Sequence, residues 1–277
     1  MHFNFGFTAA QTLWTLTFAA LLVLLVVLLG RERARRYPLF TTWIALIALQ
    51  RLMSRLLFGR MPQLTLAEIF ISLAIVMALV NLLVLVELAR RAFRGIQWRT
   101  WVGWTLMLAA AAVYVVTVWG PWPDRRTLTV DSLLAVLRLM GLVARKGDLV
   151  VGLLTVGVGL MVVLFGRRFK AGWRSHTQQI AIGLSTAAMA QLTVDRAWQT
   201  ILMRAMPHTE AEFERIMGLR EKLFNANSVV YIAVLVWWIV WLWMDEPGTA
   251  ANGEGSTVAA LEASKASLAD EPPQAAE

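Results

Sequence analysis

Residues 66–88 read LAEIFISLAIVMALVNLLVLVEL, and this run decides the class of fold. A helix rises about 1.5 Å per residue, so the run covers about 34 Å, enough to cross a hydrocarbon core of about 30 Å. Its apolar side chains follow one another continuously instead of alternating, which excludes a membrane β-strand. Its two acids, Glu68 and Glu87, stand near its ends, and Asn81 is the one strongly polar residue between them.

Six further runs qualify in the same way: 13–29, 39–58, 101–119, 149–165, 180–203 and 228–244. Across all 277 residues, 58% are hydrophobic and 16% charged, and the mean hydropathy is +0.61. These values exclude a soluble globular domain and a disordered chain. The expected fold is all-α: a polytopic membrane protein of seven transmembrane helices.

Lys and Arg set the expected orientation. Arg31, Arg33, Arg35 and Arg36 follow the first span. Arg90, Arg91, Arg94 and Arg99 follow the third, and Arg167, Arg168, Lys170 and Arg174 the fifth. These short dense loops are assigned to the cytoplasm, which places the N-terminus outside and the C-terminus inside. No Lys or Arg precedes Arg31, so the basic start of a cleavable signal peptide is missing. The first span is therefore expected to be a retained helix. Tryptophans agree: Trp98, Trp101, Trp173, Trp241 and Trp243 fall at the inner ends, and Trp14, Trp119, Trp122 and Trp198 at the outer ends. In span count and orientation alone, the plan resembles seven-helix sensory input modules of bacterial signalling proteins. The expected location is the inner (cytoplasmic) membrane, with anionic lipids at the basic loops.

Three segments outside the spans carry their own signals. Residues 127–146 place Asp131, Arg138 and Arg145 on one helical face, away from Leu133, Leu134, Leu137 and Met140. This pattern predicts an extra amphipathic helix in the outer interface. Thr209 and Glu212 form a capping box ahead of an outer helix over 210–224, and Thr65 and Glu68 form the same signal before the third span. Residues 245–277 hold seven acids and one lysine among many Ala, Gly, Ser and Pro, which predicts a disordered acidic cytoplasmic tail.

Ionisable groups within spans are the strongest functional pointers in a membrane protein. Here they gather in the outer halves of the second and sixth spans. Arg51 and Arg55 share one face, and Gln191, Asp195 and Gln199 make a polar stripe at spacings of four. Together they predict a polar ligand pocket open to the outside, with Arg51 and Asp195 paired near its floor. The competing reading is a structural ion pair with arginines snorkelling to the headgroups. Asn81 is expected to bond a neighbouring helix. Gly152, Thr155 and Gly159 form a small-residue stripe that permits close helix packing, within one chain or between chains.

Catalysis has no carrier in this sequence. There is no cysteine, no H-E-x-x-H, no G-x-S-x-G and no P-loop. The apolar part of the seventh span has no lysine for a retinal Schiff base. No catalytic residue, cofactor or metal ligand is expected, and nucleic acid is not an expected partner. The sequence reads as a receptor-like or signalling module binding a small ligand from outside. The alternatives are a non-catalytic accessory subunit of a larger membrane complex, with a partner subunit or a second copy, and a transporter.

Overall fold

A computed structural model describes residues 8–57, 60–92, 98–118, 133–165, 175–204 and 209–245. The described chain is helical, with no strand among the described residues. In order, the helices are α1 (Ala9–Gly30), α2 (Arg33–Arg36), α3 (Pro38–Leu57), α4 (Gln63–Ala92), α5 (Trp98–Val118), α6 (Leu133–Phe165), α7 (His176–Arg204) and α8 (Glu210–Trp243). Four of them, α1, α4, α6 and α8, are long and apolar enough to cross a membrane. Their outward faces are apolar too: Val26 and Leu29 on α1 are 67% and 64% exposed. An apolar surface of this extent is a lipid-facing one, so the fold is that of a membrane protein. Most of the acidic tail lies outside the described residues.

Helix starts follow local chemistry. Thr8 caps α1 reciprocally: its hydroxyl accepts from the Gln11 amide and its own amide donates to Gln11 Oε1, both at 3.4 Å. Pro38 opens α3, where its missing N–H is no loss. Thr209 caps α8 by accepting from the Glu212 amide at 3.3 Å. The box expected at Thr65 and Glu68 does not form. α4 begins at Gln63, and the Leu66 amide already donates to the Pro62 carbonyl at 3.1 Å. Thr65 thus lies inside the helix, because Pro62 starts it a turn earlier.

Two expected breaks are absent. The amphipathic segment 127–146 and the run 149–165 were expected as separate helices, yet residues 133–165 form the single helix α6; 127–132 lie outside the described residues. One glycine, Gly147, costs a helix only about 1 kcal/mol, and no proline interrupts it. Tertiary packing then decides. Leu137, Gly141, Ala144 and Gly147 recur at spacings of four and three and make a stripe of small or apolar residues. Positions on it meet α4: a Cβ at Gly141 would lie 3.8 Å from Ile71, and one at Gly147 3.9 Å from Ala78. Arg138 and Arg145 stay on the exposed face. Likewise the outer helix 210–224 runs without interruption into the seventh span as α8.

The long helices close a ring. α1 packs on α3 and α8, α3 on α4, α4 on α6, α6 on α7, and α7 on α8. α5 stands outside it and packs on α6, where Lys146 donates to the Val116 carbonyl in the last turn of α5 at 3.2 Å. The small-residue stripe on α6 packs within the chain, against α7. Leu192 lies 3.4 Å from a Cβ placed on Gly152, Ser185 Oγ donates to the Thr155 carbonyl at 2.9 Å, and any Cβ at Gly159 would collide with Ser185.

One end of the ring gathers the basic residues. Tyr37 is fully buried there; its hydroxyl is 2.8 Å from Thr177 Oγ1, and Arg91 lies 4.9 Å over its ring. Buried His176 Nε2 is 3.0 Å from the Met244 carbonyl, while Arg31 and Arg33 reach Asp245 at 3.6 and 3.1 Å. The end of α1, the starts of α3 and α7, and the ends of α4 and α8 therefore meet. The half of the bundle next to this end holds the apolar core: Leu24, Leu28, Phe40, Trp43, Ile44, Val84, Leu88, Ile180, Leu184, Leu235, Trp238 and Leu242.

Candidate functional site

Beyond that core the interior turns polar. A cavity of about 290 Å³ lies between α3, α4, α6, α7 and α8. Its polar lining is Gln50, Arg51, Asn81, Thr155, Gln191, Asn227, Ser228 and Tyr231; its apolar lining is Trp43, Ile47, Leu184, Ala187 and Ala188. On every helix but α6, the core residues stand on the basic-end side of the cavity residues. Phe40 and Ile44 precede Gln50 and Arg51, Val84 and Leu88 follow Asn81, Ile180 precedes Gln191, and Trp238 follows Tyr231. Trp43 and Leu184 belong to both regions, so the aromatic core ends the cavity on that side. There Trp238 stands edge-on to Phe40 and Trp43, at 5.2 and 6.3 Å between centroids, and its indole N–H donates to the Gln179 carbonyl at 3.3 Å.

Side-chain amides hold one wall. Asn227 Nδ2 donates to Gln191 Oε1 at 2.6 Å, and Gln191 Nε2 donates to both Asp195 carboxylate oxygens at 3.2 and 3.1 Å. The relay ties α8 to α7 beside the cavity. Gln191 is itself exposed, so the cavity is not a sealed void.

The remaining polar atoms are less well served. Asn81 Oδ1 and Tyr231 Oη are buried without a hydrogen-bond partner among the described residues. An unpaired buried polar atom costs about 1–3 kcal/mol. Tyr231 Oη lies in the field of the Arg51 guanidinium. No acid among the described residues forms a salt bridge with Arg51. Two such unpaired oxygens, on α4 and α8, thus border one cavity together with the Arg51 guanidinium; the other buried atoms without a partner among the described residues, on Arg33, Glu87 and Gln178, lie near the basic end.

Of the five residues singled out from sequence, Arg51 and Gln191 line this cavity. Arg55 points away and lies 5.9 Å over the Trp14 ring. Gln199 lies two turns beyond Gln191 along α7 and is not among the lining residues. The expected Arg51–Asp195 ion pair does not form. Asp195 is held by Gln191 and lies in the field of Arg145 and close to Asp148, both on α6. Matching depth along two helices does not set their rotation, and α7 turns Asp195 toward α6 while α3 turns Arg51 to the ring interior.

Sequence reasoning passed over Asn227, Ser228 and Tyr231. Asn227 stood in the gap between two segments read as separate helices, 210–224 and 228–244, and Ser228 and Tyr231 in the first turn of the second, which hid the i, i+4 relation of Asn227 and Tyr231 on one face of α8. Asn81, expected to bond a neighbouring helix, instead borders the cavity with its carbonyl oxygen unpaired.

No family model matches this sequence, and comparison with the curated proteins and with the solved structures finds no match.

Proposed function

We propose that the chain is a receptor-like seven-helix module of the inner (cytoplasmic) membrane, which binds a small ligand in the α3–α4–α6–α7–α8 cavity. In this reading α3, α5 and α7 span the membrane alongside the four strongly apolar helices. α3 and α7 carry more polar residues because Gln50, Arg51 and Gln191 belong to the cavity. The basic end faces the cytoplasm, which leaves the cavity in the outer half and open outward.

The observation that carries the reading is that two buried oxygens without a partner among the described residues, Asn81 Oδ1 and Tyr231 Oη, line one cavity with Arg51, which forms no salt bridge with a described acid. A bundle selected only for packing gains nothing by keeping two unpartnered polar atoms together beside a cation.

The chain contains no cysteine, so single-cysteine labelling tests this directly. Ser228→Cys is expected to react with a membrane-impermeant maleimide added outside intact cells, and a bound small molecule should slow the reaction. Labelling only after permeabilisation would refute an outward-open pocket. Reporter fusions after Arg36, Arg94 and Arg174 should report cytoplasm, and one near Thr209 the exterior.

A further inference from the structure

We infer that the ligand class of this cavity is a small monocarboxylate carrying a separate hydrogen-bond donor, with Arg51 holding its carboxylate; the inference rests on the binding reading above. Among the described lining residues Arg51 alone is charged, so the cavity presents one positive charge and no negative one. The one acid of the sequence-derived cluster, Asp195, accepts from Gln191, lies in the field of Arg145 and forms no salt bridge with Arg51.

A guanidinium presents parallel N–H donors that match the two oxygens of a carboxylate. One cation balances one monoanion. A phosphate near its dianionic form would call for a second cation, and the described lining offers none. Tyr231, whose hydroxyl has no partner and lies in the field of Arg51, is placed to donate to the same anion. Asn81 Oδ1 can only accept, so its partner on the ligand is a hydroxyl, amine or amide N–H. Trp43, Ile47 and Leu184 supply an apolar wall for the carbon skeleton. At about 290 Å³ the cavity stands at the low end of ligand pockets, which suits a metabolite and excludes a lipid chain or a folded peptide segment.

The test uses the full-length chain in lipid nanodiscs. Thermal stabilisation is measured with lactate, glycolate, 4-hydroxybenzoate and 4-hydroxybutyrate, with the matched primary amides, and with inorganic phosphate. In parallel, small molecules co-purifying with the wild type and with Arg51→Gln are released and identified by mass spectrometry. The expected result is stabilisation by one or more carboxylates and not by their amides. Arg51→Gln should weaken that binding at least thirtyfold, the usual scale for truncating one partner of a buried charge pair, and Arg51→Lys should restore part of it. Where Arg51→Gln does not purify folded, Arg51→Lys and Tyr231→Phe replace it, and unchanged carboxylate affinity in both overturns the inference. Amides binding wild type and Arg51→Gln equally would overturn the inference and leave the binding reading standing. Stabilisation by phosphate alone would also overturn it. If no compound shifts the transition and no small molecule co-purifies with the wild type, both the inference and the binding reading fall.

Discussion

The Trp238 indole of α8 occupies the space that a Cβ on Gly183 of α7 would need: such an atom would stand 2.9 Å from Cζ2 and closer still to the indole nitrogen. The ring is fully buried and tied to the Gln179 carbonyl, so it cannot swing aside cheaply. Gly183→Ala is therefore expected to destabilise the bundle by about 1–3 kcal/mol, the ordinary cost of overpacking. Gly218→Ala is the control. A Cβ there meets nothing within 4 Å, and alanine favours a helix, so stability should hold or rise by up to about 1 kcal/mol. Thermal denaturation in one detergent compares the two, and an unaffected Gly183→Ala would show that α7 and α8 pack more loosely there.

Arg51 and Asp195 should behave as independent sites. They share no ion pair, and Asp195 is bound by Gln191 instead. The stability changes of Arg51→Met and Asp195→Leu are expected to add within about 0.5 kcal/mol in the double variant. A double-mutant cycle measures this, and a coupling of 2 kcal/mol or more on the same scale would restore the pair inferred from sequence.

Removing the Tyr231 hydroxyl should help the fold and harm binding. Tyr231→Phe deletes a buried, unpartnered oxygen, so the ligand-free protein is expected to hold its stability or gain up to about 1–3 kcal/mol. Ligand-induced stabilisation should fall at the same time. A variant destabilised without ligand would show that the hydroxyl has a partner in the membrane.

The link between Asp245 and the arginines at the basic end should be weak. The Asp245 side chain is 72% exposed, and exposed ion pairs contribute under about 1 kcal/mol. Asp245→Ala is expected to change stability by less than that, with the difference shrinking in high salt. Deleting residues 248–277 should leave the melting temperature nearly unchanged, because that segment has little apolar surface to bury. A large drop on deletion would show that the tail docks.

What the sequence conveyed and what it concealed divide along physical lines. Continuous apolar runs identified the helical regions because apolarity needs no knowledge of neighbours; α1, α3, α4 and α5 lie where the runs 13–29, 39–58, 66–88 and 101–119 predict helices. The basic clusters around Arg33 and Arg91, assigned from sequence to one side, lie at one end of the ring, where Arg36 and Arg91 stand over the Tyr37 ring. Helix boundaries failed where polar residues interrupt the hydropathy but not the backbone, at Lys146–Gly147–Asp148 and at Asn225–Ala226–Asn227. The site was half legible for a related reason. Arg51 and Gln191 stood out by polarity and depth, whereas separating Gln191 from Asp195 required the rotation of α7, which its contacts with α6 and α8 set.

The aromatic stack of Phe40, Trp43 and Trp238 has a consequence for the direction of traffic. In the proposed reading it makes the chamber a dead end: a solute that enters from the Gln191 side would leave by the side it came from. Passage to the opposite face would require lifting Trp238 off Gly183 and breaking its bond to the Gln179 carbonyl. A wall of close-packed indole and phenyl rings also offers no relay of polar atoms along which a proton or an ion could hop. In the proposed reading, such a chamber reports on its contents for as long as they stay.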